Sequence, residues 1–152
     1  MIPERMGNQH PSIAPYEPFR CADRELVLAV GNDRQFAMLC MVLGASELAS
    51  DPRFAGNAAR VENRVALRSA LEERLAGRTA EAWAGALTEA GVPAGVVNDI
   101  GAAFELARAL GLNPTVAIER DDGTKVKLTR NPIGLSATPP SYRDAPPRFR
   151  PT

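Results

Sequence analysis

Leu26-Val-Leu-Ala-Val-Gly-Asn-Asp-Arg-Gln-Phe-Ala-Met-Leu-Cys-Met-Val-Leu43 changes period in its middle. Leu26 to Val30 is an unbroken apolar run, the pattern of a strand covered on both faces. Gly31-Asn32-Asp33 interrupts it. Asn32 or Asp33 is placed to accept a hydrogen bond from the free N–H groups of a new helix. Phe36, Leu39, Cys40 and Leu43 then fall on one helical face. Gly44 is a helix stop. A core strand therefore feeds a core helix through a tight polar turn.

Toward the N-terminus, Pro3, Pro11, Pro15 and Pro18 exclude helix and central strand from most of residues 1–18. That segment is expected to be an extended arm laid on another surface. Tyr16 to Cys21 is placed to pair with Leu26 to Val30 as a hairpin through Ala22-Asp23-Arg24-Glu25. Toward the C-terminus, a short helix is expected near Ser46 to Ala49, with Ser46 as its cap. Asp51-Pro52-Arg53-Phe54 is a turn, because proline restricts the residue before it. Asn57 to Gly77 has the pattern of the longest helix. Leu67, Leu71 and Leu75 mark its buried side, and Arg60, Glu62, Arg64, Glu72, Glu73 and Arg74 its solvated side. Thr79 caps a helix with Trp83, Leu87 and Ala90 on one face. Gly91-Val-Pro93 ends that helix, and Ala94 to Val97 is a short strand. Asn98 or Asp99 caps a further helix carrying Ile100, Phe104, Ala107 and Leu110, closed by Gly111 and Pro114. Val116 and Ile118, then Val126 and Leu128, alternate around the hairpin signal Asp121-Asp122-Gly123. From Asn131 onward, Pro132, Pro139, Pro140, Pro146, Pro147 and Pro151 describe a second extended arm. The expectation is an α+β fold, helices packed on a small sheet over residues 19–130, with proline-rich arms at 1–18 and 131–152. The arms hold few core residues and are not expected to fold by themselves.

The chain has 152 residues, the size of one domain, with 18 basic and 18 acidic side chains. That balance gives no electrostatic reason to expect nucleic acid or anionic membrane as a partner. No apolar stretch approaches the roughly 20 residues of a membrane helix, and the N-terminus lacks the apolar core of a signal peptide. Cys21 and Cys40 make neither a disulfide framework nor a metal motif, and fit a reducing cytoplasm. With His10 the one histidine, no two-histidine metal site and no Ser-His-Asp set is expected. There is no Gly-x-Gly-x-x-Gly or Walker loop. Asp23, Asp33, Asp51 and Asp99 sit at turns and caps, where aspartate is expected structurally. Residue by residue, no complete catalytic or cofactor site is expected.

Five motifs occur in order along most of the chain. They are Met6-Gly-Asn-Gln-His-Pro-Ser-Ile-Ala-Pro-Tyr16; Leu28-Ala-Val-Gly-Asn-Asp-Arg-Gln-Phe36; Asp51-Pro-Arg-Phe54 with Asn57 and Arg60-Val-Glu-Asn-Arg64; Ala90-Gly-Val-Pro-Ala-Gly-Val-Val-Asn98; and Pro132-Ile-Gly-Leu-Ser-Ala-Thr-Pro139. Together they resemble the second half of the family III CoA-transferases, the carnitine-CoA and formyl-CoA transferase type. Members of that family run to about twice this length or more. Their first half carries a Rossmann-like domain, most of the CoA site and the aspartate that becomes acylated. The resemblance implies the small domain and two linkers of an enzyme whose paired chains form interlocked rings. It gives the two arms surfaces to lie on. It also implies a coenzyme A thioester as substrate of the complete enzyme, with none bound by this portion alone. The expected partner is a second copy of this chain or a separate large-domain chain.

In the formyl-CoA transferase branch, a glycine-rich loop from this region covers the active site. Asn8 to Tyr16 occupies the corresponding place without the glycine run, and its prolines favour a stiffer cover. Asn8, His10 and Tyr16 are therefore the candidate substrate-facing residues. After Pro146-Pro147 the family's usual Leu-Gly-Glu-His-Thr motif is replaced by Arg148-Phe-Arg-Pro-Thr152. That fits a truncated product, one half of a split enzyme, or a fragment. The functional alternatives are a non-catalytic binding or assembly module, and part of an acyl-CoA racemase on the same scaffold.

Overall fold

Alternation, not continuous burial, governs the apolar run. In a computed structural model describing residues 5–148, β1 (Tyr16–Arg20) and β2 (Glu25–Ala29) form the expected hairpin, with Phe19 opposite Leu26 and Arg20 opposite Glu25. Leu26 and Leu28 are fully buried, while Val27 and Ala29 on the other face are half-buried. The strand is thus covered fully on one face only, because β3 (Ala94–Val96) adds antiparallel to β2 and the helices line one side.

Asn32 resolves the choice of cap at α1 (Asp33–Val42): its side chain accepts from the Gln35 N–H, and Phe36, Leu39 and Cys40 are buried. Gly44, at φ +63°, ends the helix in the left-handed region. The next helix, α2 (Ser46–Ser50), begins without the expected serine cap. Ala45 holds the cap position, and Ser46 is already inside the first turn.

The helix expected from Asn57 to Gly77 is two helices, α3 (Asn57–Glu62) and α4 (Arg64–Leu75). Asn63 separates them. Its Nδ2 donates to the Ala59 carbonyl at 3.0 Å, and such back-bonding to the preceding turn bends a helix. Leu67, Leu71 and Leu75 are buried and α4 lies on β1. Arg60 is a correction. Expected on the solvated side, it is fully buried.

Thr79 caps α5 (Ala80–Glu89) by accepting from the Ala82 N–H. Trp83 and Leu87 are buried, and the indole Nε1 donates to the Leu75 carbonyl at 2.9 Å. That bond joins the end of α4 to α5, and α5 packs against β2, β3 and α1.

The chain divides into two compact units, Met1–Val97 and Asn98–Thr152. The division falls inside the stretch expected as one 19–130 body. The second unit comprises α6 (Ile100–Ala109), capped by Asp99, and the hairpin β4 (Thr115–Glu119) and β5 (Lys125–Thr129). Helix α6 buries no residue, so its apolar pattern marks a face that is only partly covered. Ile118 is the one buried apolar residue among those described in this unit. From Asn131 to Arg148 there is neither helix nor strand. Expectations for Pro3, and for the chain from Phe149 to Thr152, lie outside the described residues.

Candidate functional site

The segment before β1 has few apolar residues of its own, yet its main chain is fixed to α3 and α4. The Asn57 side chain donates to the Ser12 carbonyl at 2.8 Å and accepts from the Ala14 N–H at 3.1 Å. Arg60 Nε donates to the Ala14 carbonyl at 2.8 Å. Arg64 Nη2 donates to the His10 carbonyl at 2.7 Å and lies 3.5 Å from that of Ile13. The Pro15 carbonyl accepts from the Val30 N–H at 3.0 Å, and the His10 N–H donates to the Tyr16 carbonyl at 3.1 Å. Residues 8–16 form a strap over their own unit.

His10 and Tyr16 come together on this strap. Their ring centroids are 5.2 Å apart and the planes are inclined by 46°. The Ser12 N–H donates to His10 Nδ1 at 3.2 Å. That contact engages Nδ1 and leaves Nε2 as the ring nitrogen open to a ligand. Tyr16 is 39% exposed. Asn8 stands apart from this pair. It lies in an exposed turn and lines a shallow cleft of about 230 Å³ with Gln9, Glu17 and Arg68.

Glu17 is the buried charge beneath the strap. It points inward from β1, where Gln9 Nε2 donates to its Oε2 at 2.9 Å and Arg68 pairs with the same oxygen. Arg64 Nη1 lies 3.7 Å from Oε1. Arg68 also donates to Glu72 at 2.9 Å and lies over the Phe19 ring. Glu17 is thus enclosed by its own partners, as a buried carboxylate requires. Arg60 is held similarly. Besides Ala14 it donates to the Phe54 carbonyl at 3.0 Å and to Asp33 at 2.7 Å, with its guanidinium 4.5 Å from the Phe36 ring centroid. The expected turn Asp51-Pro52-Arg53-Phe54 therefore presents a carbonyl to Arg60. Arg53 also holds the Asp51 carboxyl below its ordinary range by direct hydrogen bonding.

Sequence reasoning missed Asn57, Arg60 and Arg64 as strap contacts, and Glu17 as a buried group. Positions 60, 64, 67, 71 and 75 follow one another at helical spacing in the sequence, so the two arginines continue the leucine pattern although the helix is broken at Asn63. That spacing was the available signal.

The arrangement offers an imidazole N–H and a phenol on adjacent rings, groups that can hydrogen-bond to a carboxylate or carbonyl oxygen. It presents no free carboxylate to act as a nucleophile. Both thiols are poor nucleophiles near neutral pH. Burial pushes Cys21 up to about 11, helped by the Asp23 and Glu72 carboxylates, and burial pushes Cys40 up to about 11 as well. Among the described residues, no group of three or more histidine, cysteine or acidic side chains is placed to hold a metal ion. Among the same residues, no helix is long and apolar enough to cross a membrane.

The chain is 39% identical over 134 residues to the acetyl-CoA:oxalate CoA-transferase of Acetobacter aceti, covering 88% of this chain and 33% of that protein. It is 40% identical over 148 residues to the succinate–glutarate CoA-transferase of Agrobacterium fabrum, covering 97% of this chain and 37% of that protein. The crystal structure of a CAIB/BAIF family protein from Brucella suis superposes with a TM-score of 0.79 at 39% identity, over 90% of this chain and 35% of that one. The chain thus spans about a third of the length of the curated relatives it matches. The sequence model of CoA-transferase family III matches residues 1–149, nearly the whole chain, and on that match this chain belongs to CoA-transferase family III.

Proposed function

We propose that this chain supplies the small-domain third of a CoA-transferase that moves CoA between an acyl-CoA and a carboxylic acid, and that it is inactive alone. The observation that carries this reading is the coverage. Two relatives named as CoA-transferases match along most of this chain, yet only over about a third of themselves. Covalent acyl transfer needs a positioned nucleophile and an activating environment. The candidate strap offers neither, so the nucleophile comes from the large domain. In the completed enzyme the substrate is a coenzyme A thioester, and this portion alone holds none. The strap covers the substrate, with His10 and Tyr16 presented to it and Asn8 at its margin. The completing partner is a separate large-domain chain, a second copy of this chain, or both, in a reducing cytoplasm.

The test is CoA exchange between an acyl-CoA and a free carboxylic acid. The purified chain is assayed alone and after mixing with a family III large domain. The expected result is no exchange by the chain alone and exchange in the mixture. Exchange by the chain alone would overturn the division of labour. Stable association without exchange would make this chain an assembly module instead.

A further inference from the structure

Asn57, Arg60 and Arg64 stand together in one motif of the sequence, and on the strap all three hydrogen-bond main chain only. We propose that they form a backbone-reading clamp that sets where His10 and Tyr16 sit, and so are positioning residues of the substrate-facing strap. The functional half of this rests on the assignment of the strap to the substrate made above. The mechanical half does not.

Three observations carry it. First, Asn57 uses both ends of its amide, donating to the Ser12 carbonyl and accepting from the Ala14 N–H. It thereby replaces the strand that the strap's main chain lacks at this point. Second, Arg60 has no freedom to follow the strap. Its other nitrogens are committed to the Phe54 carbonyl and to Asp33 at the start of α1, and its guanidinium lies over Phe36. It is a fixed reference joining three segments that are distant in sequence. Third, the strap closes on itself above the clamp. The His10 N–H is bonded to the Tyr16 carbonyl while its own carbonyl is held by Arg64. With both main-chain groups of His10 committed, its ring is directed against Tyr16. Because these three residues bond the backbone, the clamp itself engages no side chain of the strap and leaves Tyr16 39% exposed. The cover is fixed in place.

The chain carries one histidine, so its imidazole NMR signals need no assignment by mutation. In the intact wild-type chain, the His10 ring protons are expected away from random-coil values because of the Tyr16 ring, and the Ala14 amide is expected to exchange slowly. Asn57→Ala and Arg64→Gln should each move the His10 signals toward random coil and speed Ala14 exchange by about tenfold or more. The amides of Leu39 and Leu87 should stay protected, which separates strap release from unfolding. Tyr16→Ala should abolish the ring-induced shift and leave the Ala14 amide protected. Unchanged His10 signals and Ala14 exchange in the Asn57 and Arg64 variants would overturn the clamp. So would release of Ala14 by Tyr16→Ala alone. No CoA chemistry enters these measurements, so a failed transferase assay and a failed clamp are distinguishable.

Discussion

Arg60 replaces its water with two carbonyls, one carboxylate and one aromatic face. Its partner Asp33 remains 66% exposed, so little of the interaction is a buried ion pair. The larger effect is on the carbonyls of Ala14 and Phe54, which lose a donor if the guanidinium is removed. Each unsatisfied buried acceptor costs about 1–3 kcal/mol. Arg60→Leu is therefore expected to destabilise the chain by about 2–6 kcal/mol, measured as a lower urea midpoint without a change in slope. Asp33→Asn, which keeps an acceptor, should cost under about 1 kcal/mol. Equal losses in the two variants would place the ion pair, not the carbonyls, at the origin of the effect. Single-residue legibility was uneven for a physical reason. Caps such as Thr79 and stops such as Gly44 act within one turn, and their residue types announce them. Arg60 bonds a residue 46 positions away, and local periodicity carries no trace of such a partner.

Among the elements, the β1–β2 hairpin, α1 and the leucine stripe of α4 were all legible. Each is defined by a run of apolar residues at one period. The break between α3 and α4 was not, since its cause is one asparagine competing for the Ala59 carbonyl. On α6 the expected face is not covered as a face: Phe104 and Ala107 are half-buried while Ile100 and Leu110 are exposed, and periodicity does not tell what covers an apolar pattern. Helix α5 supplies a test at this scale. Asp23, in the β1–β2 connection, accepts from the Ala80 N–H at 2.8 Å, and this bond is the first cause of a carboxyl held below its ordinary 3.8. A depressed carboxyl stabilises the folded state above its unfolded value, and that contribution is lost as pH falls through the folded value. Asp23→Ala should therefore lower the unfolding midpoint at pH 7, and the gap from wild type should close as the pH is brought below 3.8. A gap that stays constant across this range would mean that Asp23 acts without its charge.

For the whole molecule, apolar burial is distributed unequally. The first unit holds nearly all of the core, including Phe19, Leu26, Leu28, Leu39 and Leu71, whereas the second buries Ile118. Burial of apolar side chains is the main offset to conformational entropy. A broad-specificity protease is therefore expected to cut first within 98–148 and to leave a fragment that retains the strap from His10 onward, identified by mass spectrometry. Early loss of residues 10–18 would show that the contacts of Asn57, Arg60 and Arg64 do not hold the strap in solution. The strap is also where the sequence was least informative. Its prolines speak only against helix and central strand, and only the fold reveals that residues 8–16 lie on their own unit.

The most direct test is exchange of parts with the Agrobacterium fabrum succinate–glutarate CoA-transferase, which this chain matches at 40% identity over 37% of its length. The matching segment of that protein is replaced by this chain, and CoA transfer is assayed with succinyl-CoA and glutarate. A folded chimera that transfers CoA is the predicted result, with transfer reduced by Asn57→Ala in the inserted part. A chimera as well folded as the parent, but without transfer, would contradict the proposal that this chain is the small-domain third of a working CoA-transferase.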